Sequence, residues 1–199
     1  MITCPEFRGD RSQKERVREA ILGGADVIQL RDKNASDQEL LRQAKELLVV
    51  TRTLDVPLII NDRAEVAAES GADGVHLGQE DGSLAKAKEI LGETKLFGRS
   101  THTPEQGLSA EKEAFDYIGV GPVFGTPTKP GCIPVGLDYV QYAANSLQIP
   151  FVAIGGIDEK NISQVLRAGA ERIAVVRAVL GQADPKQAAK KLKEIIKKF

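Results

Sequence analysis

The 199-residue sequence predicts an α/β fold, a (β/α)8 TIM barrel forming one domain over residues 1–199. A motif repeated four times and a strict alternation of strand-like and helix-like segments carry that reading. The repeats are Gly24-Ala25-Asp26-Val27-Ile28-Gln29-Leu30, Gly71-Ala72-Asp73-Gly74-Val75-His76-Leu77, Ala114-Phe115-Asp116-Tyr117-Ile118-Gly119-Val120 and Gly169-Ala170-Glu171-Arg172-Ile173-Ala174-Val175. Each sets a small residue, usually Gly, where a helix would stop, then an acid, then a short β-rich run. Gly ends helices because it enters the left-handed region without steric cost. The apolar run after it reads as a buried strand.

The acids fall at 26, 73, 116 and 171, leaving room for two strand–helix units per interval. Leu58-Ile59-Ile60, Lys95-Leu96-Phe97-Gly98 and Phe151-Val152-Ala153-Ile154 supply strands between them, and Ile2-Thr3 a short first one, making eight. Helical patterns cover Ser12–Leu22, Asp37–Thr53, Ala64–Ser70, Ser83–Leu91, Pro104–Ala114, Leu137–Leu147, Lys160–Ala168 and Pro185–Lys198. Within the second, Glu39-Leu40-Leu41 to Leu47-Leu48 has the spacing of an amphipathic helix. Pro104 and Pro185 stand where a first helical turn tolerates proline. Alternation implies a parallel sheet with helices outside, and eight units imply closure. The rival, an open doubly wound sheet, gives no reason for a quarter-repeat. The longest irregular stretch, Gly121 to Gly136, reads as a functional loop.

Apolar residues at 42% and charged residues at 28% are ordinary for a soluble globular protein. A net charge of −1 argues against nucleic acid as a partner, so any anion site must be local. No apolar run is long enough to span a membrane, and the N-terminus lacks a basic region followed by an apolar core. Cys4 and Cys132 lie far apart without metal-ligand spacing, which fits a reducing cytoplasm. The sequence is compatible with a homo-oligomer.

Barrels assemble their sites from the C-terminal ends of strands. Those ends are rich in polar groups: Gln29, Arg31, Asp32 and Lys33; Asn61-Asp62-Arg63; His76 through Asp81; Ser100 to Thr103; Thr126, Thr128 and Lys129; Gly155-Gly156; and Val176-Arg177. Arg31 and Lys33 alternate from one strand end, so both can face the mouth. They read as an anion clamp or, more plainly, as a surface ion pair with Asp32. Lys129 reads as solvated loop charge or as a third member of that clamp. Asp62 and Asp81 end neighbouring strands. One acid there is often a helix N-cap, a role open to Asp62. Two acids beside three cations point to Mg²⁺, which takes few carboxylates and completes its shell with water and phosphate oxygens. No His/Cys cluster suits zinc, and His76 and His102 read as packed histidines. Gly155-Gly156 and Arg177-Ala178 are expected to begin helices whose amides form a phosphate site. Two anion sites in one mouth suit joining two phosphorylated molecules, with diphosphate leaving the first.

These segments, in this order across nearly the whole chain, resemble the thiamine-phosphate synthase family. The resemblance implies transfer of a hydroxymethylpyrimidine group from its diphosphate to a thiazole phosphate, releasing diphosphate through a dissociative, carbocation-like step. It implies that Gln29, Arg31, Lys33, Asn61 and Lys129 hold the pyrimidine diphosphate. By the same correspondence Asp62 and Asp81 bind Mg²⁺, and Ser100 lies near the pyrimidine. Ser100, Lys129 and Arg31 are then the residues closest to the chemistry. Thr126 and Thr128 would contact the thiazole, and the amides of Gly156, Val176 and Arg177 its phosphate. Two departures stand out: Thr3-Cys4-Pro5 replaces a usual Thr-Asp pair, and Arg177 a frequent Ser. The nearest alternative is a thiazole tautomerase, with His102 as acid/base. It would need neither Mg²⁺ nor a diphosphate clamp.

Overall fold

A computed structural model describes residues 1–7, 11–126 and 131–199. Seven parallel strands form one sheet in unbroken sequence order, β1-β2-β3-β4-β5-β6-β7. They are β1 (Ile28–Leu30), β2 (Leu58–Asn61), β3 (Gly74–Leu77), β4 (Leu96–Thr101), β5 (Tyr117–Val120), β6 (Phe151–Ile154) and β7 (Ile173–Ala174). Sequential order without reversal excludes the doubly wound alternative, whose strand order reverses at a switch point.

The expected first strand is shorter than a strand. Ile2 makes one parallel bridge to Gln29. Its N–H donates to Val175 O at 3.0 Å, while Thr3 N–H donates to Gln29 O at 2.8 Å. Met1 to Thr3 therefore touches both outer strands, but a full eight-strand ladder is not closed. The chain turns into a 3-10 turn at Pro5–Phe7, leaving no length for further pairing.

Helices α1 (Gln13–Leu22), α2 (Asp37–Thr53), α3 (Ala64–Ser70), α4 (Leu84–Leu91) and α5 (Pro104–Lys112) follow the expected positions closely. So do α6 (Gly136–Ser146), α7 (Ile162–Arg167) and α9 (Pro185–Ile196), and a short α8 (Arg177–Leu180) stands between the last two. Local chemistry sets their starts. Ser12 and Glu15 form a capping box on α1. Ser36, Ser83, Thr103 and Asp184 each accept an N–H of the first turn in α2, α4, α5 and α9. In α2 the buried residues Leu40, Ala44, Leu47, Leu48 and Thr51 make one stripe.

Strand alternation divides the molecule into two interiors. Ile28, Leu30, Leu58, Ile60, Val75, Leu77, Phe97, Ile118, Val120 and Ala153 face outward into a continuous core under the helices. Gln29, Ile59, Asn61, His76, Ser100, Gly119, Val152 and Ile154 face inward onto a cavity of about 890 Å³.

The repeated acids have a structural role at the opposite rim. Asp73 Oδ2 accepts Leu58 N–H at 2.7 Å. Asp116 Oδ2 accepts Phe97 N–H at 2.7 Å. Each caps the start of the strand before its own. Asp26 instead pairs with Lys193 of α9 at 2.5 Å, and Glu171 with Arg172 at 3.2 Å. Charge-assisted bonds of this kind are worth about 2 kcal/mol, so Asp73→Ala and Asp116→Ala should each lower Tm by roughly 4–8 °C. Thermal melts by circular dichroism check this, and an unchanged Tm would remove the capping role.

Candidate active site

The cavity runs the length of the strands, lined at their starts by residues such as Asp26, Asp116 and Arg172 and at their C-terminal ends by most of the polar groups singled out from sequence. Of the residues singled out from sequence, Gln29, Arg31, Asn61, Ser100, Thr126, Gly156, Val176 and Arg177 line it, as do His76 and His102. Thr128 and Lys129 lie outside the described residues.

On the β1 side, Gln29 and Arg31 share the inward face. Arg31 N–H donates to Thr3 Oγ1 at 2.9 Å, fixing the backbone there. The plain reading of Arg31 and Lys33 as partners of Asp32 gives way to another arrangement. Asp32 accepts Ala35 N–H and the Gln43 amide, both at 3.2 Å. Lys33 Nζ lies 3.3 Å from Asp62 Oδ2.

Asp62 follows Asn61 at the end of β2 with φ 66. Left-handed backbone is rare outside Gly, though Asp tolerates it better than most, and such strain concentrates at working sites. The N-cap role for Asp62 is not realised: α3 starts after Arg63, with no side-chain cap. The turn instead aims the Asp62 carboxyl at Asp81. Burial raises the Asp62 pKa, the adjacent Asp81 carboxyl raises it further, and Lys33 offsets part of this. Two carboxylates in hydrogen-bonding reach repel unless a proton or cation lies between them. Asp81 is itself oriented, its Oδ2 accepting Gly78 N–H at 2.7 Å. Among the described residues no third Asp, Glu, His or Cys joins them in a metal-binding group. A pair of hard oxygen donors, one prepositioned, fits Mg²⁺ that takes its other ligands from phosphate and water.

Sequence reasoning passed over a polar chain in the barrel interior. His76 Nε2 lies 2.9 Å from Ser100 Oγ, and its Nδ1 lies 3.1 Å from Tyr117 Oη. Tyr117 also hydrogen-bonds Gln29, and burial drives its pKa upward, keeping the phenol neutral. The signal was present in the glycines. A Cβ on Gly98 would stand 2.3 Å from Tyr117 and 2.4 Å from His76, so the ring fits only because residue 98 lacks one. His102 is held separately, its Nδ1 bonded to Gly121 O.

The glycine pair differs from its expected form. α7 does not begin until Ile162, so Gly155-Gly156 is a turn and not a helix start. Both glycines have positive φ, 104 and 64. A Cβ at Gly155 would meet Pro122 at 2.4 Å, and one at Gly156 would meet Gly125 O at 2.7 Å. The pair is thus needed for close approach to the loop after β5. Arg177 does begin a helix, the short α8.

A family model described as thiamine monophosphate synthase matches residues 1–179. The chain belongs to that family. It is therefore an enzyme that couples a pyrimidine and a thiazole moiety. It is 48% identical to the thiamine-phosphate synthase of Halalkalibacterium halodurans over 93% of this chain and 88% of that one. It is 47% identical to the thiamine-phosphate synthase of Synechocystis sp. over 88% of this chain, spanning about half (51%) of that longer protein. A solved thiamine phosphate pyrophosphorylase from Pyrococcus furiosus superposes with a TM-score of 0.90 at 39% identity, covering 99% of this chain and 94% of that one. The tautomerase alternative gains no support from these likenesses. Among the described residues no helix is long and apolar enough to cross a membrane.

A misplacement of about 1 Å at a site can cost on the order of 10²-fold in rate. Gly98→Ala, by displacing His76 and with it Ser100, should lower kcat/KM by about that factor. Steady-state kinetics alongside a thermal melt make the check, and a folded variant with wild-type kcat/KM would refute it.

Proposed function

We propose that this chain joins 4-amino-2-methyl-5-hydroxymethylpyrimidine diphosphate to a thiazole phosphate in a Mg²⁺-dependent reaction. Thiamine phosphate forms and diphosphate is released. The observation that carries the metal requirement is the facing pair Asp62 and Asp81 with Lys33 at 3.3 Å from Asp62. Asp62 directly follows Asn61, which lines the cavity, while Lys33, Asp62 and Asp81 stand outside that lining.

Arg31, Lys33 and Lys129 supply cationic groups for the diphosphate, with Asn61 donating a neutral hydrogen bond. Arg31 offers a planar fork and the lysines point charges. Mg²⁺ held by Asp62 and Asp81 would neutralise charge developing on the leaving diphosphate. Gln29 and Ser100, linked through Tyr117 and His76, give the pyrimidine a set of directed hydrogen bonds. His76 at 2.9 Å from Ser100 fixes where that hydroxyl points. Thr126, which lines the cavity, and Thr128 would contact the thiazole. Its phosphate would lie on the amides of Gly156, Val176 and Arg177, which line the same cavity. No protein nucleophile is required: the work is positioning and electrostatic support of the leaving group. The buried Cys4 and exposed Cys132 take no part, and both are free thiols, which suits a cytoplasmic enzyme.

The test is release of diphosphate when both substrates are supplied, with and without a chelator. Release is expected only with both substrates and free Mg²⁺. Chelator-insensitive isomerisation of the thiazole phosphate alone would overturn the reading. In Asp81→Asn the Mg²⁺ needed for half-maximal rate should rise at least ~10-fold, since even outer partners of metal ligands cost ~10–100-fold. An unchanged requirement would remove Asp81 from the metal site.

A further inference from the structure

Arg99 lies outside the contacts assigned to either substrate. It stands on β4 between Gly98 and Ser100, in register with Leu77, the last residue of β3. Strand alternation turns it away from the cavity, on the same face as the core residue Phe97. Its guanidinium lies 5.5 Å over the Phe115 ring. From there it reaches the loop that follows β3. Nη1 donates to Gly82 O at 2.8 Å and Nη2 to Gln79 O at 3.0 Å. Those two carbonyls bracket Asp81.

The rest of the loop offers little restraint of its own. Gly82 has φ 103, with nothing near the place a Cβ would take. Asp81 is exposed. Inside the loop, Gly78 N–H holds Asp81 Oδ2 and Asp81 N–H donates to Gly78 O at 3.3 Å. One further tie comes from β4, where the Gln79 amide donates to Ser100 O at 2.5 Å. A glycine-flanked loop of this kind loses much conformational freedom on ordering. A rigid two-pronged donor seated on an aromatic ring removes that freedom in advance. The neighbouring loop is built the same way. Arg63, just past β2, donates to Ala35 O at 2.7 Å and Lys33 O at 3.4 Å, steadying the segment that carries Lys33.

We propose that Arg99 is a positioning residue for the metal: by bridging the carbonyls of Gln79 and Gly82 it holds Asp81 facing Asp62, and so sets metal affinity. The inference rests on the reading of Asp62 and Asp81 as the Mg²⁺ ligands. Lys cannot span both carbonyls as a planar fork does, so it restores the function only in part. Met keeps the stem over Phe115 and removes both bonds.

Mn²⁺ titrations of the full chain, followed by the electron paramagnetic resonance of the free ion, test this without turnover. They are run on wild type, Arg99→Met, Arg99→Lys and Asp81→Asn, with inorganic diphosphate present. Loss of an outer partner costs ~10–100-fold in metal affinity, so the Mn²⁺ Kd of Arg99→Met should rise about 10-fold, with Arg99→Lys between it and wild type. KM for the thiazole phosphate, measured at saturating metal, should stay unchanged, whereas general loosening would raise it as well. A Kd for Arg99→Met within about twofold of wild type, where Asp81→Asn loses the site, would overturn this inference alone. A wild-type chain with no Asp81-dependent Mn²⁺ site would overturn the metal reading together with it.

Discussion

Parallel pairing in sequence order is the constraint on which the rest of the molecule depends. Because each strand neighbours the next, every C-terminal strand end reaches the same rim. Because side chains alternate with period two, one residue set fills the core under the helices and the other lines the central cavity. A one-residue slip in any strand would exchange the two sets. The capping carboxylates Asp73 and Asp116, at the far rim, hold the starts of β2 and β4. The catalytic rim is left to polar groups that need not stabilise the fold.

That division explains the density of charge at the mouth. Asp62 and Asp81 are placed close enough to repel, which a fold would not retain for stability alone. Their repulsion is balanced only in part by Lys33. On the proposed reading, Asp62 and Asp81 would hold a divalent cation and Arg31 and Lys33 would meet a diphosphate, and the two ligands together would neutralise the cluster. On the same reading the second phosphate would instead meet backbone around Gly156 and Val176-Arg177. One site would therefore suit a leaving group whose charge changes during reaction, and the other a phosphate that stays put.

Much of this was legible in the sequence, for reasons particular to each element. The body of α2 followed from the Leu40 to Leu48 stripe and the end of α3 from Gly71. Strand ends could be ordered because the repeated acids mark strand starts. Ile2-Thr3 looked like a strand by composition, but Pro5 ends it after one bridge. Gly155-Gly156 looked like a helix start, whereas its glycines serve close approach to Pro122 and Gly125, a contact far off in sequence. Asp62 looked like an N-cap because local rules cannot foresee a left-handed turn imposed by the next strand. The His76 to Tyr117 contact escaped for a related reason: it joins residues of β3 and β5, and the one local sign of it is the space left by Gly98 on β4.

The claim that matters most is that a metal and a diphosphate meet between Asp62 and Asp81. A crystal soaked with Mn²⁺ and inorganic diphosphate, read by anomalous scattering, tests it directly. The expected result is an anomalous peak between the two carboxylates, with diphosphate oxygens on the ion and within reach of Arg31 and Lys33. Diphosphate bound at Gly156, Val176 and Arg177, with no peak between the aspartates, would contradict it.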